Sequence, residues 1–242
     1  MMETNKYLYE APQAEVLTVK MEESVCESSG FQASRNGYGT ASGGKRSAGI
    51  GSGNSSTCGD ITIIGGTITA TGGNHSAGIG TGRMGACGNI SISGGTVTAT
   101  GSNGGAGIGT GVQATCGNIS ISGGTTTATG GDYSAGIGTG TGGTCGDIKI
   151  SGGTITATGS DEGAGIGTGC TGTCDDITIT DNVTSVTVNK GGKADYTIGK
   201  SINMNDYICG TVKIGDNIYY DGSSFQNGGD IYLADSPFIY QP

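Results

Sequence analysis

Tryptophan is absent from the 242 residues, histidine occurs once, phenylalanine three times, and eleven Lys and Arg face twenty Asp and Glu for a formal charge of −9. Each shortage excludes something. With aromatic residues at 5% and hydrophobic residues at 33%, any core must be narrow and aliphatic. Between Ser47 and Ile148 the only Lys or Arg is Arg83, so the clustered basic face that a nucleic-acid binder needs cannot be built. The same scarcity disfavours docking to an anionic membrane surface. No apolar run approaches the length of a membrane-spanning helix. In residues 1–30, MMETNKYLYEAPQAEVLTVKMEESVCESSG, no basic start is followed by the apolar stretch of about 7–15 residues that marks a standard secretory signal.

What is abundant is glycine, 53 residues of it, and it is ordered by a repeat. The tetrapeptide AGIG begins at Ala48, Ala77, Ala106, Ala135 and Ala164, and cysteine recurs at 58, 87, 116, 145 and 174, both in steps of 29. Collagen would need glycine at every third position, and a disordered chain would not hold isoleucines in phase over several repeats. A fixed period of this length marks one supersecondary unit, stacked on copies of itself. Within a copy, Ile90, Ile92, Val97 and Ala99 alternate with Ser91, Thr96, Thr98 and Thr100, which is the two-residue period of a half-buried strand. Gly94 and Gly95 divide the alternation into NISI and TVTAT, and AGIGTG supplies a third short strand.

The expected fold is therefore all-β: a single parallel β-helix (β-solenoid) of about six 29-residue coils, right-handed and three-sided. Coils about 4.8 Å apart would set identical residues above one another. Residues 1–46 read as a leader-like or capping segment in which Val16-Leu17-Thr18-Val19 and Met21 suit a short capping strand, with Gly37-Tyr38-Gly39-Thr40 as a decayed first AGIGTG. Residues 47–215 read as the solenoid. Its last copy is degenerate, visible in Thr197-Ile198-Gly199 and again from Cys209 to Gly215. Residues 216–242 carry six of the thirteen Tyr and Phe, the bulk needed to cover an open core and an unpaired edge. Thr126 falls where other copies have Ile68, Val97 and Ile155, so it buries a hydroxyl.

The most ordered candidate surface is a threonine grid: Thr67, Thr69 and Thr71, then Thr96, Thr98 and Thr100, then Thr125, Thr127 and Thr129, then Thr154, Thr156 and Thr158. Regular hydroxyls could match a periodic ligand such as a glycan polymer or an ice-like lattice; equally, threonine simply suits an exposed strand face. If Ala77, Ile79 and Thr81 point inward, then Gly78 and Gly80, with Gly107, Gly109, Gly136 and Gly138, form a flat outer face. The terminal segments would cover that face, or it would be a contact surface for another protein.

Metal and cofactor signals are thin. Zinc sites pair cysteines and histidines closely, whereas the repeat supplies one cysteine per coil, with Cys170 an extra, and His75 is alone. Buried free thiols are the expectation, with Cys170 and Cys174 the pair placed to oxidise. Asp60, Asn89, Asn118, Asp147 and Asp176 suit a tight corner and hydrogen bonding up the stack; the calcium alternative falls on Asp175, Asp176 and Asp181. The glycine-rich matches to G-x-G-x-x-G open no helix in a βαβ unit. For a polysaccharide lyase or hydrolase, Lys149 with Asp147 and Asp176 is the one acid–base grouping on the regular coils, set among the outward residues Thr62, Ser91, Ser120 and Thr178. Catalysis is not the expectation.

The SAGIGTG…CGNISISGGTVTATG unit and the terminal IYYDG…NGGDIYL segment resemble the glycine- and threonine-rich repeat proteins predicted as β-helical secreted or surface proteins of anaerobic gut bacteria. The start APQAEVLTV…SVCESSG is similar to short leader-like beginnings on small proteins of such bacteria. That resemblance implies an extracellular or cell-surface location, against the missing standard signal, and supplies no catalytic residue. It leads to a structural or adhesive non-enzyme, with a polysaccharide-binding module as the alternative.

Overall fold

The structure, a computed structural model, describes residues 19–21, 29–33, 38–201 and 209–242; the leader-like reading of residues 1–18 lies outside them. The chain winds into a parallel β-solenoid. One sheet stacks Ile61–Ile63, Ile90–Ile92, Ile119–Ile121, Ile148–Ile150, Ile177–Ile179 and Thr211–Ile214. A second stacks Tyr38–Gly43, Thr67–Thr71, Thr96–Thr100, Thr125–Thr129, Gly153–Thr158 and Val183–Asn189. The third holds six two-residue Ile-Gly strands, from Ile50–Gly51 to Ile198–Gly199.

Pairing is in register across the regular copies: Ile90 lies between Ile61 and Ile119, and Thr98 between Thr69 and Thr127. Alternation decides which side chains go inside. Ile61 and Ile63 are buried on either side of half-buried Thr62, and Ile68 and Ala70 are buried between threonines. The core is a set of vertical columns of Ile, Val and Ala excluded from water, with a cysteine column at its margin, and it is free of aromatic residues through the regular coils. Stacking alone achieves this, since each thin coil buries its apolar edge only against its neighbours.

Polar ladders run beside the apolar columns. The Asp60 carboxylate accepts from the Asn89 N–H at 2.6 Å, and the same bond repeats from Asn118 to Asn89, Asp147 to Asn118, Asp176 to Asp147 and Thr211 to Asp176. Inside the coil, buried Thr81, Thr110, Thr139 and Thr168 hydroxyls accept from Gly111, Gly140, Gly169 and Ser201 N–H groups at 2.8–2.9 Å. Backbone donors at corners that no strand partner reaches are thereby satisfied.

The solenoid starts earlier than residue 47, and the reading of Gly37–Thr40 as a decayed AGIGTG is corrected. Tyr38–Gly43 is a threonine-type strand, pairing Tyr38 with Thr67, Thr40 with Thr69 and buried Ala41 with Ala70. Its YGTAS keeps the alternation and the 29-residue step. In the last full coil Val186 pairs with Ile155, two residues beyond the period; one extra residue is already taken up before Gly153, which pairs with Val183, and the bulge between Gly153 and Thr154 takes up the other.

Antiparallel strands lie across the ends. Val19–Met21 pairs with Ile61–Ile63, and Ser29–Ala33 with Tyr38–Gly43. At the other end Asn217–Asp221 pairs with Thr211–Ile214, and Phe238–Tyr240 with Val186–Val188. A short helix, Gly229–Tyr232, brings Leu233 over the last coil, where its carbonyl accepts from the Thr197 N–H and hydroxyl. Tyr219 stacks on Tyr232, Tyr232 meets Phe238 edge-on, and Phe225 lies between Tyr196 and Tyr220. The Lys200 ammonium sits 5.2 Å from the Tyr220 ring centre.

Thr126 is 1% exposed and its hydroxyl has no hydrogen-bond partner. An unpaired buried hydroxyl costs about 1–3 kcal/mol, and valine has the same shape without it. Thr126→Val is expected to raise the melting temperature by about 2–6 °C in a calorimetric scan; an unchanged or lowered value would mean that the side chain does not occupy the core column.

Candidate functional site

The twelve grid threonines stand in register on one sheet, exposed or half-buried, with the intervening Ile68, Ala70, Val97, Ala99, Ala128, Ile155 and Ala157 all turned inward. The grid extends beyond the predicted four rows. Thr40 and Ser42 continue it toward the N-terminal end, and Ser185, Thr187 and Asn189 continue it at the other. There Ile239 of the capping strand, 58% exposed, pairs beside Thr187.

The flat glycine face does not exist as a surface. Gly78, Gly80, Gly107, Gly109, Gly136 and Gly138 are all buried. The cause is a tight reversal, in which the Ala77 N–H donates to the Thr81 carbonyl at 3.0 Å, and Ala48, Ala106, Ala135 and Ala164 do the same four residues on. This curls AGIGT back on itself and brings the two flanking tips together over it. Bonds between the tips seal the edge, from Arg83 N–H to Arg46 carbonyl, Val112 to His75, Thr141 to Gly104 and Cys170 to Tyr133. Neither the terminal segments nor a partner is needed to cover these glycines. They are required because neighbouring backbone fills the space: a Cβ on Gly109, at φ +130°, would lie 1.8 Å from the Gly138 carbonyl oxygen.

The cysteine column is interior. Cys58, Cys116, Cys145, Cys174 and Cys209 are buried, Cys87 is half-buried, and all are free thiols. Hydrogen bonds between stacked thiols, followed by burial, push Cys145, Cys174 and Cys209 well above the usual thiol range, so they are poor nucleophiles. The pairing of Cys170 with Cys174 is corrected. Cys174 lies in the column with its sulfur 3.5 Å from that of Cys209, whereas Cys170 is on a loop tip beside Glu162, where burial and that carboxylate push its thiol up to about 11.

Asp175, Asp176 and Asp181 do not converge. Asp176 is engaged in the corner ladder, and Asp181 accepts the Tyr240 hydroxyl. Among the described residues no group of three or more His, Cys, Asp or Glu side chains is placed to hold a metal ion. Lys149 is exposed between Ser120 and Thr178, and the salt bridge among the described residues joins Lys193 to Asp161 rather than Lys149 to Asp147 or Asp176. No helix among the described residues is long and apolar enough to cross a membrane.

One concavity escaped the sequence reading. A cavity of about 360 Å³ opens on the sealed edge, lined by His75, Gly104, Val112 and Tyr133 among others. The signal was available. The tips are where otherwise matching copies differ, with Arg46, His75, Gly104, Tyr133 and Glu162 at one position and Asn54, Arg83, Val112, Thr141 and Cys170 at the other.

Comparison with known proteins agrees with the geometry. Residues 61–83, 90–112, 119–144 and 148–170 match the beta helix repeat, each match beginning at or one residue from an Ile-x-Ile strand. By fold this is a parallel β-helix, and four of its coils are similar to that repeat. No curated protein and no solved structure matches the chain.

Two substitutions probe the framework. Gly109→Ala is expected to lower stability by more than about 3 kcal/mol, read as a lower urea midpoint. Asn118→Ala, which strips the acceptor from the Asp147 N–H, is expected to cost about 1 kcal/mol. Asn118→Asp should be near neutral because Asp60 and Asp147 already fill the same rung; equal losses for both Asn118 variants would dissociate the ladder from stability.

Proposed function

We propose that this β-helix is a non-catalytic structural or adhesive protein of the cell exterior. The supporting observation is the threonine sheet. Its outward side chains form a hydroxyl lattice in register over four regular coils and continue in part into the flanking ones. The core beneath it is rigid and dry, so the lattice is held to the spacing of the coils. The charged residues nearest to an acid–base grouping are otherwise committed, since Asp147 and Asp176 each spend a carboxylate oxygen on a backbone N–H. The resemblance to secreted and surface repeat proteins supports an exterior location. Fractionation of the native host with an antibody to the chain should place it in the envelope or the medium. A wholly cytoplasmic pool would overturn the reading.

The same lattice supports a second reading, a module for a repetitive polysaccharide. Row spacing of about 4.8 Å and column spacing of about 7 Å present hydroxyls at regular intervals along two directions. On a glycan array the chain would then show saturable binding to a polymer. Thr98→Lys and Thr127→Lys, both at exposed positions, should abolish it; silence across the array would leave the structural role alone.

A further inference from the structure

Away from the threonine lattice, the edge where the loop tips meet carries a second surface of a different kind. Everywhere else the coils repeat almost residue for residue, whereas here each coil differs. In repeat architectures the tips are where binding diversity is placed, because their side chains can change without disturbing the stack. The backbone at the first tip position is left-handed in four successive coils, with φ of 63° at Arg46, 65° at His75, 79° at Gly104 and 62° at Tyr133. A side chain is therefore tolerated at this position, and Gly104 is the copy without one. The result is a slot. His75 and Tyr133 stand two coils apart, about 10 Å at the backbone, with Gly104 between them and Val112 as the floor.

The polar groups around the slot are rich in acceptors. The His75 Nδ1 lies 2.9 Å from the Asn103 carbonyl oxygen; a carbonyl can only accept, so Nδ1 carries a proton, and in the neutral form of the ring Nε2 is the acceptor. The Asn103 amide nitrogen donates to Asn74 Oδ1 at 3.3 Å, which leaves Asn103 Oδ1 as an acceptor and its second N–H as a donor. The Thr141 hydroxyl donates to the Tyr133 carbonyl at 3.5 Å and keeps its lone pairs. Asp132, exposed on the rim, adds a carboxylate. The slot thus pairs an apolar floor and an exposed tyrosine with a rim of acceptors, at the small end of the volume range for small-molecule sites.

We propose that this slot binds a neutral pyranose ring, through Tyr133 and Val112 on its C–H face and through Asp132, Asn103 and His75 Nε2 on its hydroxyls. A sugar ring supplies several O–H donors and an apolar face together. A phosphate or carboxylate ligand meets Asp132 in a chain of charge −9 and finds no Lys or Arg in the lining to pair with. A purely aromatic ligand would stack on Tyr133 but leave the acceptors unused. The site is separate from the threonine lattice, so it stands or falls independently of both readings given above.

The test is isothermal titration and saturation-transfer NMR on the full chain with glucose, galactose, mannose, N-acetylglucosamine and their disaccharides. Saturable binding of at least one is expected. Gly104→Tyr, which restores the side chain that the neighbouring coil carries, should weaken it about tenfold or more, although Val112 must move to admit a Cβ that would lie 2.5 Å from its methyl. Asp132→Asn, on an exposed rim residue that the fold does not need, should weaken it about threefold to tenfold. Thr98→Lys should leave it unchanged. No binding of any sugar overturns the proposal. So does undiminished affinity in Gly104→Tyr and Asp132→Asn, or binding lost only in Thr98→Lys, which would move recognition to the lattice.

Discussion

The whole molecule depends on the backbone hydrogen bond between one coil and the next. Parallel ladders set each residue beside the one 29 positions away, with N–H groups donating to carbonyls 28 or 30 positions off, and every other feature must respect that spacing. Isoleucines can form columns because stacked copies leave no lateral offset to fill. Thiols can do the same because cysteine is small and tolerates burial. The glycines are the strictest part of this arrangement. At Gly80, Gly109 and Gly138 the next coil approaches so closely that only hydrogen fits, and the same reversal folds the AGIGT segment under its own tips.

Much of this was legible in the sequence because the relevant physics is local and repeated. The alternation of Ile90, Ser91 and Ile92 states which side faces in, and repetition of that pattern at a constant interval states what lies above and below. The corner residues Asp60, Asn89 and Asn118 announce the ladder through their shared short polar side chains. Thr126 announces its own weakness by interrupting a column. The glycine segment was misread because alternation was extended into a stretch too short to be a strand: Ile79 and Gly80 alone pair, and the Ala77–Thr81 bond turns the chain. No side-chain pattern signals that bond, since glycine permits extended and reversed backbone alike. Tyr38–Gly43 was misassigned for a related reason, because Gly39 stands in its inward row where other copies hold Ile68, Val97 and Ile155.

The cysteines show a second limit. Spacing in sequence put Cys170 and Cys174 close together, yet the solenoid sends one to a tip and the other to the interior column. Cys209, which the long sixth loop displaced from the period, returns to the same column. In a stacked fold, distance along the chain within a coil is a poor guide to neighbourhood; distance modulo the period is the better one. The loop tips obey the converse rule. Their backbone is as regular as the strands, with left-handed residues at matching positions, while their side chains are free to vary, so the edge with the least repetitive chemistry rests on a fully repetitive frame.

The antiparallel strands laid across both ends have a consequence for how such a protein changes size. Because the terminal coils are specialised and the middle ones interchangeable, growth has only one permissible currency. A duplication of one complete turn, inserted anywhere between the end pieces, would meet identical surfaces above and below and lengthen the rod by a single storey. A fragment of a turn would set every storey beyond it out of step. The molecule can therefore evolve in whole-turn increments, each new storey arriving with its own pair of unassigned tips.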